Sequence, residues 1–165
     1  MAESFDLKPI SRSAIHKALE KAERYRLLNE PRQAESICLD ILEVEPDDQR
    51  ALVVLILALT DQFGASHRSQ SLQQAREHCK RLTDEYQRIY YAGIIAERQA
   101  RAALRGAFRA FAYDGFRDAL QHYERAEKLR PPGDDDALLR WNACVRTMRD
   151  EDLQPPQSAP EQLLE

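Results

Sequence analysis

Glycine is scarce, with five residues in 165, which argues against a turn-dense sheet protein. Cysteine is scarce too: Cys38, Cys79 and Cys144 are odd in number and far apart inside apolar helical patterns, the pattern of free buried thiols in a reducing compartment rather than a disulfide framework. Long apolar runs are missing. The longest, Ala51 to Leu59, has nine residues, whereas a membrane-spanning helix needs roughly 20, so no membrane span is expected. An excess of positive charge is also missing: the formal charge is -4 and the pI about 5.7. Nucleic acid is therefore an unfavoured partner, and any basic site must be local.

The first residues, MAESFDLKPISRS, carry an acid at Glu3 and no apolar core of signal-peptide length, so a cytoplasmic protein is expected. Catalytic constellations are absent from the sequence as well. No nucleophile with a base, carboxylate pair, metal-ligand cluster or glycine-rich phosphate loop occurs at recognisable spacing. His78 adjoins Cys79, but neighbouring helix residues point about 100° apart, and His122 reads as a half-exposed helix residue. Neither an enzyme nor a cofactor or metal is expected.

What is present is a helix-former's composition, rich in Ala, Leu, Glu, Gln and Arg, with 43% hydrophobic residues to build a core. Seven helices are expected in one domain over 13–150, between an N-terminal arm, 1–12, and a proline-containing flexible tail, 151–165. Ser11 or Ser13 can cap the first helix, which runs to about Leu28. Pro31 suits the first turn of the second, which Pro46 and Asp47 stop. The third, from about Asp48 to Phe63, is β-branched enough to pass for a strand, but its length and its acidic start favour a buried helix. A fourth runs from about Gln70 to Asp84 and a long fifth from about Gln87 to Ala112, with Gly93 marking close packing and Gly106 close packing or a bend. Asp114 caps the sixth, to about Leu129, and Asp134 to Asp136 open the seventh, to Asp150.

One spacing recurs three times. Ala34, Cys38, Ile41 and Pro46 match Ala119, Tyr123, Ala126 and Pro131, while Ala75, Cys79 and Leu82 follow the same steps until Gln87 replaces the proline. Such periodicity implies stacked helical hairpins. On these residues, with Ala22 and Tyr25 placed nine or more positions before Ala34, the chain resembles the tetratricopeptide repeat family over about 13–148. The first and third units match well and the second is degenerate. The resemblance implies an all-α solenoid of stacked antiparallel hairpins with a C-terminal capping helix, whose first helices line a concave groove and bind a protein or peptide partner. The family's carboxylate-binding Lys and Asn have no counterpart at Leu19 and Glu23.

Carried onto this sequence, the groove residues are His16, Leu19 and Glu23, then Arg50, Val53 and Leu57, then Tyr90 and Ile94, then Leu138 and Asn142. A second candidate surface is a basic stripe, Arg98, Arg101, Arg105 and Arg109, on one face of the fifth helix, with Leu104, Phe108 and Phe111 opposite facing the core. The bland reading of that stripe is a solvated face paired with acids such as Glu124 and Glu127. The leading expectation is a non-catalytic adaptor that binds a protein segment. The alternatives are a subunit that self-associates through Ile94, Ile95 and Trp141, an anionic nucleic-acid or lipid ligand held by the stripe, and a groove filled by the chain's own Leu163 and Leu164.

Overall fold

Why the helices start and stop where they do is visible at their caps. The computed structural model describes residues 3–64 and 68–157, and these are all-α: α1 (Ile15–Leu27), α2 (Pro31–Val44), α3 (Gln49–Thr60), α4 (Arg68–Lys80), α5 (Glu85–Leu104), α6 (Ala112–Leu129) and α7 (Asp136–Asp150). Pro31 occupies the first turn of α2, where its missing N–H costs nothing. Asp48 caps α3 by accepting from the Ala51 N–H at 2.9 Å, and Asp84 caps α5 by accepting from Gln87 at 3.0 Å. The ambiguous apolar run is α3, helical and buried at eight of its twelve positions.

Successive helices pack on each other as antiparallel hairpins, and α1, α3 and α5 also meet side by side. The nine small or apolar residues of the recurring spacing other than its prolines, Ala34, Cys38, Ile41, Ala75, Cys79, Leu82, Ala119, Tyr123 and Ala126, are at most 4% exposed, whereas Pro46 and Pro131 are exposed. The repeat is thus a packing code: it marks the side of each even-numbered helix that its neighbours cover. One cluster of core residues is built mainly from α1 to α4, and a second around Ile94, Phe116, Tyr123 and Cys144 joins α5 to α7.

Several boundaries differ from expectation. Neither Ser11 nor Ser13 caps α1: a 3-10 turn, Arg12–Ala14, precedes it, and the two hydroxyls lie 3.2 Å from each other. Helix α4 ends at Lys80 because Asp84 is committed to capping α5. Most consequentially, α5 stops at Leu104. The chain turns over 105–108, passes through a 3-10 turn, Arg109–Phe111, and α6 begins at Ala112, so Asp114 lies in its first turn and is not its cap. The absent side chain of Gly115 permits the reversal: a Cβ added there would stand 2.9 Å from Ala100 Cβ, so glycine lets α6 return directly along α5. As a result Phe108 and Phe111 are 56% and 66% exposed instead of buried, while Leu104 remains half-buried against the second cluster.

The arm reaches the core through Ile10. The start of the tail is held as well: Leu153 packs on the second cluster, and its N–H donates to the Met148 carbonyl at 2.9 Å. Leu163 and Leu164 lie outside the described residues. No described helix is long and apolar enough to cross a membrane.

Candidate functional site

The C-terminal turns of α1 and α3, the second half of α5 and the second turn of α7 surround a cleft of about 390 Å³. Five arginines line it: Arg26 from α1, Arg98 and Arg101 from α5, Arg105 at the α5 terminus and Arg140 from α7. Two carboxylates organise them. Asp61 accepts from Arg26 Nε at 2.8 Å and Nη2 at 3.3 Å, and also pairs with Arg98 Nη1. Glu97 accepts from Arg140 Nη2 at 2.6 Å and Nε at 3.0 Å, and from Arg101 Nε at 2.8 Å.

Glu97 is fully buried, which would ordinarily cost several kcal/mol for a charged group without partners. Burial opposes its ionisation, but the Tyr123 hydroxyl, donating at 2.6 Å, together with Arg140 and Arg101 outweighs that penalty and holds the carboxyl below its usual range. The same pair pushes the Tyr123 hydroxyl well above its usual range, through burial first and the neighbouring carboxylate second. Arg101 is fixed further: Nη1 donates to Thr147 Oγ1 at 3.0 Å, and its guanidinium lies 5.5 Å from the centre of the Phe116 ring. Arg105 differs from the others. Among the described residues it meets no carboxylate, and only its Nε is engaged, 3.4 Å from the Arg101 carbonyl.

Five guanidinium groups against two carboxylates leave three positive charges in the cleft, in a chain whose formal charge is -4. Such a site can bind an anion, and the forked donors match planar or tetrahedral oxyanions.

The structure divides the expected groove residues. His16, Glu23, Arg50 and Asn142 are exposed; Arg50 reaches Glu23 at 3.8 Å, and His16 reaches Glu20 at 3.3 Å. Val53, Leu57, Tyr90 and Leu138 are half-buried. Leu19 and Ile94 are core, 2% and 4% exposed, because α2 and α6 cover the sides of α1 and α5 on which they lie, and neither can touch a ligand. Ile95 is likewise buried, and Trp141 packs half-buried on the second cluster, so neither forms an uncovered repeat end.

The basic stripe holds together only in part. Arg98, Arg101 and Arg105 line the cleft, but Arg109 has left the helix and binds Glu151, at 3.0 Å to Oε2 and 3.1 Å to the carbonyl. Their acids are Asp61, Glu97 and Glu151 in place of Glu124 and Glu127; Glu127 pairs with Arg130 instead. Sequence reasoning missed Arg26, Asp61 and Arg140, and it took groove and stripe for separate surfaces. Helical arithmetic would have joined them: Leu19, Glu23 and Arg26 share a face, as do Val53, Leu57 and Asp61, and as do Tyr90, Ile94, Arg98, Arg101 and Arg105.

The thiol nearest a histidine does not face it. Cys79 Sγ donates to the Arg88 carbonyl at 3.3 Å, and His78 Nδ1 lies 3.4 Å from Arg81 Nη1. No family model, no curated protein and no solved structure matches the chain.

Proposed function

We propose that this chain is a non-catalytic adaptor of tetratricopeptide-like construction that binds a segment of another protein across the face shared by its odd-numbered helices. The observation that supports this reading most directly is the make-up of the cleft: α1, α3, α5 and α7 each contribute a side chain to it, so one ligand would touch every hairpin. Solenoids use such a face because each hairpin adds an increment of surface along one extended site. Exposed apolar carbon beside the charges, at Leu27, gives a partner segment something to bury besides its charge.

The test is site-specific photo-crosslinking in the cell. A photo-reactive residue at Leu27, on the cleft rim, is expected to capture a discrete partner, whereas the same residue at Leu129, exposed at the end of α6, is not. Equal patterns from the two positions would remove the cleft as the binding face.

A further inference from the structure

We infer that the cleft is a receptor for a phosphoryl group on a side chain of the partner segment; this rests on the reading that the cleft binds a protein segment at all. The first argument is charge. The three positive charges left over by Asp61 and Glu97 are offset in part by the C-terminal ends of α1, α3 and α5, each worth roughly half a negative charge. About one and a half positive charges remain. A carboxylate supplies one negative charge, whereas a phosphorylated side chain supplies about 1.5 to 2 near neutrality.

The second argument is the supply of directed donors. The two carboxylates do not exhaust the guanidinium groups; they hold them in place. Among the described residues no acceptor is bonded to Arg105 Nη1 or Nη2, Arg98 Nη2 or Arg101 Nη2. Arg98 and Arg101 on α5 and Arg105 at its C-terminal cap line the same cleft, and Arg98 and Arg101 are already held by Asp61, Glu97 and Thr147, so they lose little side-chain entropy on binding. A tetrahedral oxyanion has three free oxygens to receive them, and a planar carboxylate has two. Asp61 and Glu97 therefore work as brackets. Glu97 in particular is placed beneath Arg101 and Arg140, inside the protein, where no ligand can displace it.

The third argument is size. A cleft of about 390 Å³ takes a modified side chain and its immediate neighbours but not a nucleic-acid groove or a packed helix. Leu27, 88% exposed on the rim, offers an apolar seat beside the charges. The preferred segment thus carries its phosphoryl group next to an apolar residue.

The experiment uses the full chain with ¹⁵N-labelled arginine and follows the Nε–Hε resonances. A short peptide with one phosphoserine beside leucine is titrated alongside its serine and glutamate versions, and inorganic phosphate is titrated at constant ionic strength. The phosphopeptide is expected to give saturable shifts at Arg98, Arg101 and Arg105, about tenfold tighter than the glutamate peptide, the scale of one charge-assisted hydrogen bond. Its affinity should fall as pH drops through about 6, where the dianion takes up a proton. Inorganic phosphate should shift the same resonances more weakly. Arg105→Gln, which breaks no ion pair, should reduce affinity about tenfold, while Arg117→Gln, exposed on α6, should not.

Equal affinity for the glutamate peptide would make the cleft a carboxylate site and overturn the inference. So would shifts centred on Arg117 and Arg125. Absence of saturation with both the phosphopeptide and phosphate, while crosslinking at Leu27 still captures a partner, would remove the phosphoryl group and leave the adaptor reading standing.

Discussion

Tyr123 donates its hydroxyl to Glu97 Oε2 at 2.6 Å between α6 and α5, at a place where neither side chain reaches solvent. One residue belongs to the recurring small-and-apolar code of the even-numbered helices, and the other is the acid that grips the cleft arginines, so a core position and a candidate binding surface are joined by a single hydrogen bond. Tyr123→Phe keeps the ring and removes only the donor. It is expected to cost about 1.5 to 3 kcal/mol, the range for a hydrogen bond to a charged group, read as a lower urea midpoint at unchanged slope.

The carboxyl of Glu97 is held below its usual range, so its ionised form is favoured by the folded state. The sign follows from linkage: this stability is complete above the unfolded carboxyl value of about 4.3 and is lost as pH falls through the lower folded value. Glu97→Gln should therefore be less stable than the parent at pH 7, with the difference shrinking below about pH 4. Urea titrations at several pH values check it; a difference independent of pH would mean that Glu97 carries no charge in the folded protein.

Three glycines should respond differently to the same added methyl. At Gly93 a Cβ would stand 2.7 Å and 2.9 Å from Tyr123 Cε1 and Cδ1, and that ring cannot yield because Glu97 anchors it. At Gly115 it would stand 2.9 Å from Ala100 Cβ and 3.3 Å from Ala100 Cα, which is backbone. Both alanine variants should lose about 1 to 3 kcal/mol by overpacking. At Gly106 the nearest atom is a carbonyl oxygen at 3.5 Å, so Gly106→Ala should instead gain up to about 1 kcal/mol by restricting the unfolded chain. Thermal melts of the three proteins separate these outcomes.

Burial pushes the thiols of Cys38 and Cys144 up to about 12 and that of Cys79 up to about 11. The thiolate is the reactive form, so all three should resist iodoacetamide at pH 8 in the folded protein and react together in denaturant. Intact-mass measurement before and after adding urea gives the count directly. Labelling of one cysteine in the native state would show an opening local to its helix.

Most of the helical layout was legible because local signals and packing agree. Pro31 opens α2, Asp48 caps α3, and the four-then-three step marks a buried side in α2, α4 and α6. The end of α5 was not legible, because RAALRGAFRAFA is rich in helix formers and only Gly106 speaks against continuing. What breaks the helix there is tertiary: α6 approaches α5 as closely as Gly115 and Gly93 permit, and the connection must form before Ala112. The cleft was half legible. Its α5 arginines stand out in the sequence, and helical spacing places Arg26 and Asp61 on the faces of α1 and α3 that carry the groove residues, but that these faces meet Arg140 around one cleft emerges only once four helices are laid side by side.

Tyr91 of α5 packs against both large core clusters. In a row of hairpins each unit touches only its neighbours, so whether the two ends melt together depends on the few residues that belong to both sides. Here Tyr91, with its neighbour Tyr90 5.1 Å away edge to face, carries part of that coupling alongside Leu57 of α3, which packs on the second cluster. Trimming the ring, as in Tyr91→Ala, should do more than lower stability: it should uncouple the halves, so that amide exchange in α1 and α2 no longer keeps pace with that in α6 and α7 and the single unfolding transition splits in two.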